Sequence, residues 1–228
     1  MSGPSTDPTS DPSSDPSSDP SSDPAGDPAG GSASGPAGGP AAGPAGAPVR
    51  IRAMTADDCE AVATVRVRGW RYAYAGLMPQ AYLDAMSVEE DAARRREYLV
   101  GGEGRVTDLV AEARGRVIGW GCCGPSRDAD APAGSAELYA LYVLPERLST
   151  GVGRALMDAL AERAVAGGAS ALLLWVLADN ERARRFYAKA GFAPDGAREP
   201  FEVGGVEVPE VRYARRLSAS SAAPPSRG

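Results

Sequence analysis

The stretch "YVLPERLSTGVGRALM", residues 142–157, passes from apolar to polar to helical pattern. "YVL" ends a longer alternating run, "AELYALYVL" at residues 136–144, which reads as a strand. Strict alternation puts Glu137, Tyr139, Leu141 and Val143 on one face and Leu138, Ala140 and Tyr142 on the other. From Val152, apolar residues recur at 155, 156, 159, 160 and 164. That spacing predicts an amphipathic helix ending at Gly167-Gly168. Between strand and helix lies Leu148-Ser149-Thr150-Gly151-Val152-Gly153. A helix start presents unpaired N–H groups and a partial positive charge, so this loop is a candidate seat for an anion. Its glycines equally suit close packing of a helix on a strand. Two phosphate loops do not fit. Leu156 stands where a dinucleotide fingerprint needs a small residue, and no Gly-Lys-Ser/Thr occurs.

Downstream, "SALLLWVLA" at 170–178 reads as a wholly apolar strand at a sheet centre. "DNERARRFYAKAG" at 179–191 reads as a helix capped by Asp179 or Asn180 and closed by Gly191. Tyr187 stands about two turns along it. "GGVEVPEVRYARRL" gives one or two further strands. Upstream, "VRIRAM" alternates as a first strand. Thr55 with Asp58 and Ser87 with Glu90 resemble capping pairs that open two helices, separated by the breaker "GLMP". After a turn at "GGEG", "TDLVAEARGRVIGWGCCGP" reads as a hairpin turning near Arg114-Gly115, and residues 126–135 as a polar loop. The order β-α-α-β-β-β-α-β-α-β-β implies a mixed sheet with helices on both faces. The strands at 137–144 and 170–177 are expected to run parallel or to diverge from a shared origin.

Composition divides the chain of 228 residues. Residues 1–48 hold no Lys or Arg and follow an Asp-Pro period of four, then a Gly/Ala/Pro/Ser stretch. Such a segment has little to bury and is expected to be a disordered tail without the features of a secretion signal. Six Asp sit in it, so the net charge of −6 belongs to the tail, and the remainder is neutral at 24 − 24 = 0. That balance points away from nucleic acid and from anionic membranes. Residues 49–217 suffice for one domain with a sizeable core, and 218–228 form a second tail. The chain has no His, and its three Cys form no Cys-x-x-Cys. No metal site, Ser-His-Asp triad or Cys-His dyad is therefore expected. Cys59, Cys122 and Cys123 read as reduced thiols of a cytoplasmic protein.

"LYVLPERLSTGVGRALM" and "LLLWVLADNERARRFYAKAGF" resemble motifs A and B of the GCN5-related N-acetyltransferase superfamily, in order and spacing. "N-x-x-A-x-x-F-Y-x-x-x-G-F", from Asn180 to Phe192, is the more specific part. The resemblance covers roughly residues 49–217. It implies an α/β (α+β) fold of the acyl-CoA N-acyltransferase type, with a mostly antiparallel central sheet of about seven strands. It also implies acetyl-CoA as co-substrate and a small-molecule or peptide amine as acceptor, in a monomer or homodimer. Backbone groups of Leu141, Tyr142 and Val143 would bind the pantetheine arm like an added strand. The N–H groups of Leu148, Ser149, Thr150, Gly151, Val152 and Gly153 would take the pyrophosphate. Asn180 would contact the pantetheine or phosphate region, and Tyr187 would protonate the leaving thiolate. Glu137 stands at the spacing where some members carry a general base. Leu148 departs from the pattern, which usually has Gln or Arg there, and Ser149 holds a place that is often glycine.

The reaction needs a deprotonated amine, a donor for the oxyanion and a proton for the thiolate. A phenol, with an ordinary pKa of about 10, keeps its proton at neutral pH and can act as the acid. Trp70, Tyr72, Tyr74 and Tyr82 are candidates for an acceptor pocket and equally for core packing. Arg71 is a candidate to meet an acidic group of a substrate. Two other functions fit the same residues: an acyl-CoA-binding module without turnover, and an interaction protein that works through its tail.

Overall fold

A computed structural model describes residues 48–101 and 105–218. Apart from Pro48, Gly101 and Ser218, the two expected tails and the turn at "GGEG" lie outside the described residues. Seven strands form one sheet in the order β1-β2-β3-β4-β5-β7-β6. They are β1 (Arg50–Ala53), β2 (Thr107–Ala113), β3 (Arg116–Pro125), β4 (Ser135–Val143), β5 (Ala171–Leu177), β6 (Ala193–Val203) and β7 (Val206–Arg216). The helices are α1 (Cys59–Ala73), α2 (Gln80–Ala85), α3 (Val88–Gly101), α4 (Val152–Ala166) and α5 (Glu181–Lys189). β4 and β5 pair in parallel, and the other described pairs are antiparallel. This is the mixed, mostly antiparallel sheet that the motifs imply.

Two elements go beyond the sequence reading. α2 has six residues, too few to show a period, and follows Pro79. Arg71 of α1 ties its end down by donating to the carbonyls of Leu83, Asp84 and Met86. β6 contains Pro194 and Pro200, which argue against a strand in sequence. It is the sheet edge, where a missing N–H is tolerated.

Helices cover both faces. The Tyr142 ring stacks on Trp120 and lies 6.5 Å from Trp70 of α1. α3 joins that face, with Asp91 bonded to Arg66 at 2.9 Å and Arg95 over Trp120. On the other face α4 buries Leu156, Met157 and Leu160 completely. Each such side chain contributes roughly 1.5–3 kcal/mol. Gly121 permits this close approach. A Cβ there would meet Leu160 Cδ1 at 2.8 Å and Leu141 Cδ1 at 2.9 Å. α5 lies on the α4 face, where Arg184 bonds the Tyr213 hydroxyl of β7.

β4 does not alternate strictly. Cys122 pairs with Ala140 but Cys123 pairs with Leu138, so Tyr139 is one residue too many. This β-bulge corrects the expected faces. Leu141 lies towards α4, as Leu138 does opposite Cys123, whose Sγ reaches the Leu160 carbonyl. Glu137, Tyr139, Ala140 and Tyr142 lie on the α1 face, so Glu137 does not share a face with Leu141. A bulge also sharpens strand twist, and this one follows directly on the last β4–β5 pair, Glu137 with Leu173. Beyond it the two strands separate. β4 continues beside β3 alone, and β5 beside β7 alone.

Candidate active site

The loop before α4 is built to expose N–H groups. Thr150 donates its hydroxyl proton to the Arg147 carbonyl at 2.7 Å, which closes the turn. Ser149 at φ 58° and Gly151 at φ 87° are both left-handed. Gly151 adopts this at no steric cost, whereas Ser149 is strained by about 1 kcal/mol. The first helical bond runs from Ala155 N–H to the Gly151 carbonyl. The N–H groups of Val152, Gly153 and Arg154 precede it and point out of the helix start. Leu148 does not join them, because its N–H donates to the Pro145 carbonyl at 3.3 Å. Its side chain packs against the core instead. Thr150 offers no free hydroxyl proton for the same reason of prior use. Glu146 meets Arg68 at 3.0 Å and ties the loop to α1.

The gap between β4 and β5 opens next to this seat. Leu144 N–H donates to the Ile118 carbonyl of β3. Alternation along an antiparallel ladder then turns the Tyr142 backbone towards β3 as well. The N–H and C=O groups of Leu141 and Val143 face the gap. Buried backbone groups require partners, so this edge suits an extended, amide-bearing ligand. Tyr142 leaves the expected backbone trio, since its groups face β3 and its ring is wholly buried.

α5 lines the same region. Asn180 caps it, with Oδ1 accepting from Ala183 N–H at 3.0 Å, so the side-chain NH2 is the end left to donate. Arg154, in the first turn of α4, reaches the Lys189 carbonyl at the last turn of α5. That contact sets the C-terminal half of α5, with Tyr187, beside the anion seat. Tyr187 is wholly buried and packs edge-on against Phe186 and Phe192.

On the α1 face a set of charged groups surrounds the end of β4–β5 pairing. Glu137 is 1% exposed. Its Oε2 accepts from the Arg127 N–H at 2.9 Å, and its Oε1 from the Arg127 guanidinium. Both oxygens thus accept from Arg127, which fixes the carboxylate in place. Asp128 accepts from Trp175 Nε1 and from Arg212, and Arg212 also holds Asp130 and Asp195. Glu210, opposite Leu177 of β5 and Glu199 of β6, is not singled out by its sequence pattern. It is 4% exposed, and its Oε1 has no hydrogen-bond partner among the described residues. Burial pushes its carboxyl up to about 8, with Glu199 adding to the effect.

Of the aromatic candidates for an acceptor pocket, Trp70 and Tyr74 are core, packed edge-on to each other. Tyr72 is exposed, and its hydroxyl accepts from Arg182 of α5 at 2.8 Å. Tyr82 is half-buried against the β6–β7 turn at Gly204. Arg71 is committed to the α2 carbonyls and the Met86 carbonyl that follows. All three cysteines are buried, and burial pushes the Cys123 thiol up to about 12.

Residues 68–192 match the family model described as Acetyltransferase (GNAT) family. The uncharacterized N-acetyltransferase YuaI of Bacillus subtilis is 30% identical over 164 residues, covering 72% of this chain and 90% of the relative. A probable N-acetyltransferase of Mycobacterium tuberculosis is 32% identical over 178 residues, covering 75% and 95%. Among solved structures, the PaiA N-acetyltransferase of Thermoplasma acidophilum in complex with coenzyme A superposes with a TM-score of 0.59. It shares 22% identity and covers 74% of this chain and 99% of its own. YncA of Salmonella typhimurium, a putative acetyltransferase solved with acetyl-CoA, gives 0.55 at 21% identity, covering 78% and 99%. At such identities the structural likeness carries the fold, while the family model and the curated relatives carry membership. The chain belongs to the GNAT family of acetyltransferases.

Proposed function

We propose that the protein transfers an acetyl group from acetyl-CoA to a primary amine by direct attack in a ternary complex. One observation carries this reading: β4 and β5 separate beside the start of α4, so a backbone edge and an anion seat face one gap. The edge at Leu141 and Val143 suits the amides of a pantetheine arm. The N–H groups of Val152, Gly153 and Arg154, with those of Ser149 to Gly151, suit the pyrophosphate. The Asn180 side-chain NH2 adds a donor along the arm. The N–H facing the gap at Val143 or Leu141 polarises the thioester carbonyl and receives the oxyanion.

Direct transfer is favoured over an acetyl-enzyme, because the cysteines are buried and the Cys123 thiol holds its proton. As the C–S bond breaks, Tyr187 gives its hydroxyl proton to the sulfur. Glu137, expected as the base, holds Arg127 instead. The buried, unbridged thiols fit a reducing compartment such as the cytoplasm. Among the described residues no helix is long and apolar enough to cross a membrane.

Thiol release from acetyl-CoA, measured across a panel of amines, amino acids, polyamines and peptides, tests the activity. Acetyl-CoA at 100 times its Kd should stabilise the protein by about 2.7 kcal/mol, visible as a rise in Tm. Absence of that rise would overturn the donor site. A rise without thiol release from any amine would leave an acyl-CoA-binding module.

A further inference from the structure

We propose that Glu210 is the group that binds the acceptor's ammonium and takes its proton, in an anionic cleft suited to an amine without a neighbouring carboxylate. The inference rests on the acetyltransferase reading and adds the acceptor side to it.

Three observations carry it. Glu210 is 4% exposed, yet its Oε1 has no hydrogen-bond partner among the described residues. A buried carboxyl oxygen without a partner calls for a donor. Its surroundings are also anionic. From β6 it faces Glu199, exposed at the rim, and from β4 Glu137, whose charge is matched by Arg127. β5 presents the apolar Leu177. Two residues along β7, Arg212 is shared among Asp128, Asp130 and Asp195, so its single charge is already outnumbered by three carboxylates. Finally, Glu210 is placed for transfer, opposite Leu177 on the length of β5 that has parted from β4. Glu210 is close enough to Glu137 and Arg127 to feel their charges, and Glu137 is the last β4 residue before the gap.

The chemistry balances with these groups. The ammonium enters and pairs with the Glu210 carboxylate. Glu210 takes one N–H proton, and the nitrogen lone pair forms the C–N bond at the thioester carbon. The C–S bond breaks, its electron pair stays on sulfur, and the thiolate takes the Tyr187 proton. The second N–H proton, shed as the amide forms, restores Tyr187. The proton on Glu210 leaves to solvent. A free amino acid brings its carboxylate into the same cleft and meets only like charge.

The test is calorimetric, on the full chain with CoA bound. The probes are 1,4-diaminobutane and ornithine, which share a terminal amine and differ by a carboxylate. Wild type should bind the diamine and bind ornithine more weakly. Glu210→Gln should weaken diamine binding by at least roughly 30-fold, because it removes one partner of a buried charge pair. Both proteins should bind CoA equally. Because burial keeps Glu210 mostly protonated at pH 7, ammonium binding should release about one proton per diamine, read by titration in two buffers of different ionisation enthalpy. Glu210→Gln should release none, a result that a merely structural role for Glu210 does not produce. Glu199→Gln should weaken binding while keeping proton release. No diamine binding to the CoA-bound wild type, or equal binding and proton release in Glu210→Gln, overturns the proposal. Failure of wild type to bind CoA overturns the donor site instead.

Discussion

Replacing Tyr187 with Phe removes one oxygen from a ring held by Phe186 and Phe192, and leaves the packing intact. If the hydroxyl supplies the thiolate's proton, kcat should fall by roughly 10²–10⁴ with Tm nearly unchanged. An unchanged kcat takes Tyr187 out of the mechanism. Glu210 makes a different prediction, about stability. Its folded value lies near 8, above the ordinary 4.5. Between those values the native state holds more protons than the unfolded chain, so stability falls as pH rises through this window. The fall should amount to a few kcal/mol, because each tenfold change in proton affinity is worth about 1.4 kcal/mol. Glu210→Gln should remove most of that slope in urea melts at pH 5, 6.5 and 8.5. Glu199, at the rim, is raised in the same direction by partial desolvation and by the nearby Asp128 and Glu137, and should leave a smaller residue of it. Ser149 is a third case. At φ 58° it occupies backbone that glycine enters freely. Ser149→Gly should raise stability by about 0.5–1 kcal/mol and leave CoA binding intact. A loss of CoA affinity in that variant would show that the Ser149 side chain itself touches the ligand.

At the scale of elements, the β3–α4 contact depends on one missing atom. Gly121→Ala puts a Cβ within 3 Å of both Leu160 and Leu141. Overpacking of this kind should cost about 1–3 kcal/mol in chemical denaturation. The strands other than β6, with α4 and α5, were legible from their patterns, and the residues of the proposed donor site from two motifs on either side of β5. The bulge was not. Alternation assumes one residue for one, and nothing in "AELYALYV" marks Tyr139 as extra. That single insertion changed which face Glu137 shares. It also follows the last β4–β5 pair, so it marks where the two strands, expected to run parallel or to diverge from a shared origin, part. Leu148, odd against the motif, is explicable with its side chain in the core and its N–H on Pro145. Glu210 was illegible on other grounds. In "VEVPEVRYARR", Val208, Glu210 and Arg212 alternate as a solvent face would. Their burial comes from long-range partners, such as the loop residues Asp128 and Asp130, that no local pattern announces.

At the scale of the whole molecule, Arg212 joins parts of the chain that are far apart in sequence. From β7 it holds Asp195 of β6 at 2.7 Å, and Asp128 and Asp130 of the loop after β3 at 2.9 and 2.7 Å. Its guanidinium lies over Trp175 of β5, whose Nε1 bonds the same Asp128. One buried cation thus ties β6, β5 and the loop after β3 together beside Glu210. Arg212→Met keeps the stem but leaves three carboxylates facing one another. The loss should be about 3 kcal/mol, or roughly 6–12 °C in Tm for a domain of this size. The proposed donor site draws on α4, α5 and β4, none of which touches Arg212 among the contacts described, so CoA affinity in the folded variant should hold within a few-fold. The KM for an amine should rise, because the elements beside Glu210 have come loose. Melting curves, CoA titration and amine kinetics on one variant separate these effects. An unchanged Tm would mean that solvent screens the network to no net value. A parallel loss of CoA affinity would mean that the two halves of the sheet, parted between β4 and β5, are coupled more tightly than their pairing suggests.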